Sequence, residues 1–239
     1  MFPIRDDNPT HHLPIATYAI IALNALAWFF VQGMGTDPAL ARSVCELGAI
    51  PGELLGRIPA GTHVKLGPQA VCIVQGSADW TTAVTSMFLH GSWFHIIGNM
   101  WFLAIFGDNV EDDLGIVRFV FFYLLCGLAA VAAQVASSPA SAVPMVGASG
   151  AIGGVMGAYA VLHPRAQVHT LLILGFWIER IRVPAVVMLG YWFVLQLVGG
   201  IPSIGGEEGG VAFWAHVGGF ACGGGLALVL RDPGRRRRR

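Results

Sequence analysis

Four polar side chains stand inside long apolar stretches of this sequence: Ser149, His216, His95 and Asn99. Polar and ionisable groups are costly in the hydrocarbon of a bilayer, so such residues are candidates for function. A serine close to a histidine has the chemistry of a nucleophile with its general base. A second histidine and an asparagine carry N–H donors of the kind that stabilise an oxyanion. Brought together by the fold, the four residues would perform acyl transfer.

The composition of the chain is typical of a membrane protein. Of its 239 residues, 55% are hydrophobic and 12% are charged, and the mean hydropathy is +0.65. Soluble domains carry about 25% charged residues, and a soluble enzyme of this length would need more polar surface. The first apolar stretch, residues 13–35, is longer than the core of a signal peptide and lacks a clear cleavage site, so we expect a retained span.

Six apolar stretches match the roughly 20 residues of helix that a bilayer core of about 30 Å requires. None of them contains Asp, Glu, Lys or Arg, and all are too continuous for barrel strands. The predicted fold is an all-α membrane protein, a six-transmembrane-helix bundle within one domain at residues 14–230. The predicted spans are approximately 14–34, 86–106, 119–136, 146–163, 184–200 and 211–230.

The distribution of Lys and Arg predicts the orientation of the bundle. The N-terminal segment 1–13, the two loops 107–118 and 164–183, and the C-terminal segment 231–239 hold 1, 1, 3 and 6 of these residues. The long loop 35–85 holds three, and the other two loops hold none. We therefore expect both termini in the cytoplasm. The five arginines that end the basic tail would be either a lipid-facing anchor or a disordered tail.

The loop at residues 35–85 is then external, on the oxidising side of the membrane. It contains Cys45 and Cys72, which we expect either to form a disulfide or to remain two free thiols. Residues 168–182 are too short and too charged at their end to span, so we expect them to lie at the cytoplasmic interface.

The spacing of small residues indicates how the polar side chains could meet. His95 and Asn99 are four residues apart, so they share one face of a helix. Small residues four apart also recur in the fourth and sixth predicted spans, where they allow helices to approach closely. We expect these two helices to pack almost backbone to backbone, with Ser149 within about 3 Å of His216. The glycines assigned to this packing are Gly147, Gly150, Gly153, Gly157, Gly219 and Gly223.

Other chemistries fit the sequence less well. The G-x-S-x-G elbow fails because Ala151 stands where that motif requires glycine. No H-E-x-x-H motif occurs, which argues against an intramembrane zinc protease. The predicted spans contain no acid, which excludes an aspartyl dyad and an acidic third member of a triad. A Ser149/His216 dyad remains, without a metal or a nucleotide cofactor.

At these residues the sequence resembles the rhomboid intramembrane serine proteases, in their six-span bacterial form. The resemblance covers four motifs in order: FLHGSWFHIIGNM (88–100), GDNVED (107–112), GASGA (147–151) and AHVGGFACG (215–223). It implies that Ser149 is the nucleophile, that His216 is the general base, and that His95 and Asn99 form the oxyanion hole. It also implies structural roles for His90 and Glu111.

The sequence departs from the family pattern at two places. Thr81 and Thr82 stand where many members have a Trp-Arg pair, which leaves the structure of the outer loop open. Gly153 stands where some members have an aromatic residue that stacks on the catalytic histidine. Trp214, Tyr159 or no group at all would then orient His216.

The function that the resemblance implies is that of an intramembrane serine endopeptidase of a bacterial inner membrane. Its partners would be the lipid bilayer and single-span transmembrane substrates cleaved near the outer interface, with no nucleic acid. A catalytically silent member of the same fold that binds transmembrane clients is the alternative, although the intact serine and histidine argue against it. A second and weaker alternative is a small transporter with a proton relay through His95 and His216, since the predicted spans contain no acid to take part in such a relay.

Overall fold

The computed structural model describes residues 1–67, 70–204 and 211–231. This part of the chain is mostly helical, with nine α-helices and five short strands. The helices are α1 (Ile15–Leu26), α2 (Ala39–Leu47), α3 (Pro51–Leu54), α4 (Thr82–Thr85), α5 (Trp93–Leu114), α6 (Ile116–Ser137), α7 (Ser149–Leu162), α8 (Ala185–Gly200) and α9 (Phe213–Leu230). The strands are β1 (Phe2–Asp6), β2 (His63–Lys65), β3 (Val71–Ile73), β4 (Gln167–Leu174) and β5 (Trp177–Pro184).

Each of the six apolar stretches overlaps one of the long helices α1 and α5 to α9. By length and composition, α6 and α9 are long and apolar enough to cross a membrane. Helices α7 and α8 are apolar but shorter, as is α1 with the π-helical turn that extends it to Val31. Helix α5 has 22 residues, and four of its last seven are acidic.

The prediction of an all-α fold is wrong at one end of the bundle. Strands β1, β4 and β5 form an antiparallel sheet in that order. The two strands β4 and β5 turn back through Gly175, whose φ of +61° suits a tight hairpin. Val168 and Thr170 point into the protein and are fully buried, as expected for β-branched residues on the inner face of a strand. The segment that we expected at the interface is therefore mostly a β-hairpin.

The N-terminal segment is part of the folded protein because β1 is the edge strand of this sheet. The ring of Phe2 packs against Trp101 of α5 with centroids 5.7 Å apart. The indole Nε1 of Trp101 donates a hydrogen bond to the Pro3 carbonyl at 2.8 Å. At the same end of the bundle, Arg118 donates to the carbonyl of Leu230, the last residue of α9. Of the predicted basic tail, all but Arg231 lies outside the described residues.

Glu111 fixes the first helix to the second long one. Its carboxylate is buried and accepts hydrogen bonds from the backbone N–H groups of Ala16 and Thr17, at 2.9 and 2.7 Å. The hydroxyl of Thr17 donates to it as well, at 2.8 Å. These N–H groups belong to the first turn of α1 and have no partner within that helix. A negative charge at this end also opposes the helix dipole favourably.

At the opposite end of the bundle, the loop that follows α1 is folded and covalently closed. The disulfide prediction is confirmed: Cys45 at the end of α2 is bonded to Cys72 on β3. Backbone hydrogen bonds join this loop to the segment before α7, including a pair exchanged between Ala49 and Met145 and one from Gly52 to Ser141. The loop therefore packs beside the chain that leads to Ser149.

Candidate active site

Three of the four candidate residues lie in the first turn of a helix, and Asn99 lies one turn after His95. Ser149 is the first residue of α7, and His216 is the fourth residue of α9. Helix α5 begins at Trp93, because Ser92 is extended and its hydroxyl accepts a hydrogen bond from the His95 N–H. His95 is therefore the third residue of its helix, which begins seven residues after the start of the predicted span 86–106. This later start brings the three residues nearer to one common layer.

The hydroxyl of Ser149 and the ring of His216 are within hydrogen-bonding distance. Ser149 Oγ lies 2.7 Å from Nε2 of His216. This is the separation that a nucleophile and its general base require. The other ring nitrogen, Nδ1, lies 2.8 Å from Oε1 of Gln196 on α8.

Glycines make the approach of the two helices possible. A Cβ added at Gly219 would overlap the carbonyl oxygen of Gly150, and one added at Gly223 would overlap that of Gly154. A Cβ at Gly157 would meet the carbonyl of Phe220 in the same way. Helices α7 and α9 are therefore in backbone contact along the stretch that follows Ser149 and His216.

Gly147 and Gly153 occupy two further tight positions around the site. Gly147 has a φ of +134°, which side chains rarely allow. A Cβ there would lie 2.8 Å from His95 Nε2 and 3.5 Å from Ser149 Oγ. The Gly147 N–H also donates to the Ser86 carbonyl at 2.9 Å. A Cβ at Gly153 would lie 3.1 Å from the carbonyl oxygen of His216.

The hydrogen bonds of His95 indicate which of its nitrogens is a donor. Its Nδ1 faces the backbone N–H of Gly91 at 3.3 Å and must therefore accept that hydrogen bond. A neutral imidazole has one donor and one acceptor, so Nε2 carries the proton. Nε2 is the His95 atom nearest to Gly147, which lies just before Ser149 in the chain. The N–H donor of His95 is therefore close to the start of α7.

Asn99 supplies a second donor in the same place. The residue is buried and lines the same cavity as Ser149 and His95. Among the described residues, no group accepts a hydrogen bond from its side-chain Nδ2. Buried donors without a partner are rare and costly, so this amide is available to a substrate atom.

His90 lies behind His95 rather than in the cavity. Its ring is fully buried and meets that of His95 edge to face, with centroids 5.0 Å apart. The side-chain amide of Gln32 exchanges two hydrogen bonds of 2.7 Å with the backbone N–H and carbonyl of His90. Gln32 therefore holds the turn that precedes α5, a contact that the sequence did not indicate.

The groups that contact His216 differ from those that we expected. Trp214 donates instead to the Gly200 carbonyl at 2.9 Å, and the Tyr159 hydroxyl is bonded to Asp6. The contacts to the His216 ring come from α8: Gln196 at Nδ1, and Trp192 with ring centroids 5.7 Å apart. One signal could have revealed Gln196, because it is a polar side chain in an apolar stretch, the criterion that selected the other four.

Ser149, His216, His95 and Asn99 face a cavity of about 610 Å³. No Asp, Glu, Lys or Arg is among the described residues that line it. Its walls combine small and polar groups with apolar side chains, including Phe94, Phe102, Met145, Ile152 and Trp192. Within the described ranges, no group of three His, Cys, Asp or Glu side chains is placed to hold a metal ion. Such a cavity fits an uncharged, largely apolar chain segment.

A family model described as the Rhomboid domain matches residues 77–233, about two thirds of the chain. The chain belongs to the Rhomboid family. Rhomboid family proteins are integral membrane proteins, and the family includes intramembrane serine proteases. The family resemblance noted in the sequence is thus confirmed.

The chain is similar to rhomboid relatives from plants and bacteria. It is 35% identical over 143 residues to Rhomboid-like protein 11, chloroplastic, of Arabidopsis thaliana, covering 55% of this chain and 50% of that protein. It is 29% identical over 166 residues to RHOMBOID-like protein 6, mitochondrial, of the same plant, covering 66% and 46%. It is 29% identical over 199 residues to the Rhomboid protease GluP of Bacillus subtilis, covering 82% and 34%. The chain thus spans half or less of the length of these relatives.

One departure from the rhomboid pattern has a local explanation in this structure. Where many members have a Trp-Arg pair, Thr81 and Thr82 begin α4 around Asp79. The hydroxyl and the backbone N–H of Thr81 donate to the Asp79 carboxylate at 2.7 and 2.9 Å, which holds the pKa of that carboxyl below its usual range. Thr82 donates to the Asp79 carbonyl at 2.6 Å. The end of the loop at residues 35–85 is thus held by a small hydrogen-bonded turn.

Proposed function

We propose that this rhomboid family member is an intramembrane serine endopeptidase that uses Ser149 and His216. The observation that carries the proposal is the 2.7 Å separation between Ser149 Oγ and His216 Nε2 at the wall of a cavity. A serine and a histidine that merely packed helices would not need to face an open space. The relationship to the Rhomboid protease GluP supports the same activity.

In the proposed reaction, Ser149 Oγ attacks the carbonyl carbon of the scissile peptide bond. His216 Nε2 takes the hydroxyl proton as the new C–O bond forms, and then gives it to the leaving amine as the C–N bond breaks. The acyl-enzyme is hydrolysed by the same steps, with water as the nucleophile. His216 acts as base and acid in turn.

The oxyanion of the tetrahedral intermediate would be stabilised by three donors. These are the Nε2–H of His95, the side-chain amide of Asn99 and the backbone N–H of Ser149. The last group belongs to the first residue of α7, where the N–H groups of a helix are free and its dipole favours negative charge. Removing one such donor typically slows a reaction about 10²- to 10³-fold.

The proposed substrates are single-span membrane proteins, cleaved near the outer face of the membrane. The uncharged lining of the cavity and its position beside the disulfide-closed loop favour this assignment. In the proposed topology, all six long helices cross the bilayer, both termini lie in the cytoplasm, and residues 14–230 form the protease domain. A bacterial inner membrane is the proposed location.

The experiment that tests the proposal is labelling of the detergent-solubilised protein with a fluorophosphonate probe. Wild type should be labelled, whereas Ser149→Ala and His216→Ala should not. Ser141→Ala is the matched control, because Ser141 lines the same cavity but does not face a histidine. This variant should be labelled like wild type.

A cleavage assay with a single-span substrate then tests the reaction itself. Cleavage that requires both Ser149 and His216 would establish the endopeptidase. A folded wild-type protein that is neither labelled nor cleaves, but still retains a single-span protein in a pull-down, would favour the client-binding alternative.

A further inference from the structure

Gln196 of α8 contacts the ring nitrogen of His216 that Ser149 does not contact. Its Oε1 lies 2.8 Å from Nδ1 of His216, the nitrogen that faces away from Ser149. Gln196 is half-buried, and all other residues of α8 are aliphatic, aromatic, methionine or glycine. A polar side chain in such a helix needs a partner, and the ring of His216 supplies it.

The orientation of the Gln196 amide follows from its second contact. Its Nε2 lies 3.5 Å from the carbonyl oxygen of Trp192, one turn earlier in the same helix. If the amide were reversed, its oxygen would face the Trp192 carbonyl oxygen and this hydrogen bond would be lost, while its NH₂ would donate to Nδ1 and favour the other tautomer. Oε1 is therefore the atom that faces His216, and an amide oxygen can only accept.

An acceptor at Nδ1 selects one tautomer of the imidazole. Nδ1 must carry the proton, so Nε2 has a free lone pair directed at the hydroxyl of Ser149. This is the tautomer that a general base requires. The other tautomer would place a proton between Nε2 and Oγ and would leave the serine without a base.

Trp192 limits the tilt of the same ring from the side. The ring centroids of Trp192 and His216 are 5.7 Å apart, with an angle of 40° between their planes. Gly153 of α7 is where the family pattern has an aromatic residue that stacks on this ring, and a Cβ there would already lie 3.1 Å from the His216 carbonyl oxygen. In this chain, α7 contacts the ring through Ser149, and α8 supplies the ring packing and the contact at Nδ1.

We propose that Gln196 is a positioning residue that fixes the tautomer and the orientation of His216. The proposal rests on the proposed function, since it assigns the third member of a Ser149–His216–Gln196 triad. Gln196 acts through His216 and does not contact the substrate. It leaves the imidazole neutral between turnovers, in contrast to an acidic third residue, which would favour the imidazolium.

Two substitutions at Gln196 separate positioning from packing. Gln196→Met keeps the length of the side chain and removes the amide acceptor. We expect kcat to fall about tenfold, the effect of losing one neutral hydrogen bond, with KM within about twofold of wild type. Leu195→Met is the matched control, because it places the same residue at an adjacent, exposed position of α8. This variant should retain the wild-type kcat.

Gln196→Glu provides a readout that a structural role would not change. A carboxylate beside Nδ1 stabilises the imidazolium, so the acid limb of the pH–rate profile should move to higher pH by about one unit or more. Activity well above that limb should be restored relative to Gln196→Met, because the acceptor is present again. An unshifted acid limb, or a Gln196→Met variant with the wild-type kcat, would overturn the proposal. Equal losses in both variants with a lowered Tm would assign Gln196 to packing instead.

The tautomer can also be measured without any activity. In ¹⁵N-histidine-labelled protein, the His216 resonances, assigned by their loss in His216→Ala, should show a protonated Nδ1 and an unprotonated Nε2. The same resonances in Gln196→Met should report a mixture of tautomers. If the wild-type protein proves inactive but shows this difference, the proposed function fails while the positioning role stands. A wild-type ring with the proton on Nε2 contradicts the positioning role whatever the activity.

Discussion

Gly219 of α9 lies directly against the backbone carbonyl of Gly150 of α7. A single methyl group at Gly219 would overlap that oxygen, so the two helices have no room for any side chain at this point. The contact is one residue after Ser149 and three residues after His216. The geometry of the proposed catalytic pair therefore depends on a glycine that takes no part in the chemistry.

Gly219→Ala should separate the two helices and weaken both stability and labelling. Overpacking a tight contact typically costs about 1–3 kcal/mol, and more where backbone is the obstacle. We expect a lower Tm in detergent and slow labelling by a fluorophosphonate. Gly225→Ala is the matched control on the same helix, because nothing lies within 4 Å of a Cβ there. Its Tm should be unchanged or slightly raised, since alanine favours helix. Equal Tm values for the two variants would show that the helices are not in contact.

Asn99→Ala should slow cleavage without abolishing it. The amide would contact the oxyanion and not the ground-state substrate alone, so kcat should fall about 10²-fold, or about 2.7 kcal/mol, with KM little changed. In the same assay, Ser149→Ala should have no measurable activity. A change confined to KM would instead assign Asn99 to substrate binding.

Glu111→Gln should destabilise the protein although the residue is remote from Ser149. The neutral side chain has one acceptor oxygen in place of two, and it loses its charge at the start of α1. We expect the free energy of unfolding to fall by about 2–3 kcal/mol, because hydrogen bonds to a charged group are the stronger class. Glu46→Gln is the control: its ion pair with Arg42 is exposed, and its loss should cost less than about 1 kcal/mol. Chemical denaturation in mixed micelles measures both. Similar losses in the two variants would contradict the capping role.

Removal of the Cys45–Cys72 disulfide should destabilise the outer loop. The bridge joins residues 27 apart in sequence, and closing a loop of that length contributes about 3–4 kcal/mol in the chain-entropy model. A reducing agent should lower the Tm of the wild-type protein. The same agent should leave the Tm of a Cys45→Ser/Cys72→Ser variant unchanged. A reductant effect of equal size in the double variant would mean that another group is responsible.

Asp6→Asn should make stability less dependent on pH. Burial raises the pKa of the Asp6 carboxyl above the ordinary 3.8, an effect only partly offset by the hydrogen bond from Tyr159. A raised pKa means that ionisation opposes folding, so its contribution to stability is full below pH 3.8 and is lost as the pH rises through the folded-state pKa. Asparagine keeps an acceptor for Tyr159 without the charge. The wild-type Tm should therefore fall relative to that of Asp6→Asn as the pH rises from 3.8 through the folded-state pKa. A difference that stays constant over that range would contradict the assignment.

The sequence could predict the features that depend on local patterns. Apolar runs located the six long helices, and glycines four residues apart indicated that the helices of Ser149 and His216 could approach. The helix start of α5 was misplaced because the apolar run begins at residue 86, before the capping residue Ser92. In that case a hydrogen bond, not hydrophobicity, determines where the helix begins.

The features that the sequence could not predict depend on distant partners. Strand β1 exists because Phe2–Asp6 pairs with β4, more than 160 residues away, and no periodicity within five residues reveals that. Gln196 is a polar residue in an apolar stretch, so the sequence could mark it as a candidate, but only the packing of α8 against α9 shows that it lies at Nδ1 of His216. Both are tertiary contacts, and the sequence around each residue does not identify the partner that it contacts.

The length of α7 has a consequence for how water would reach Ser149. The helix has 14 residues, or about 21 Å at 1.5 Å per residue, against a hydrocarbon core of about 30 Å. Its residues from Gly150 to Tyr159 are all buried, so α7 is a central helix of the bundle. Asp6 holds the far end of the helix through Tyr159. If α7 crosses the bilayer as in the proposed topology, the shortfall would lie at the Ser149 end, where the cavity is. In that topology, hydrolysis below the membrane surface would need no separate water channel. A central helix shorter than the hydrocarbon core would leave a water-accessible cavity between the nucleophile and the surface.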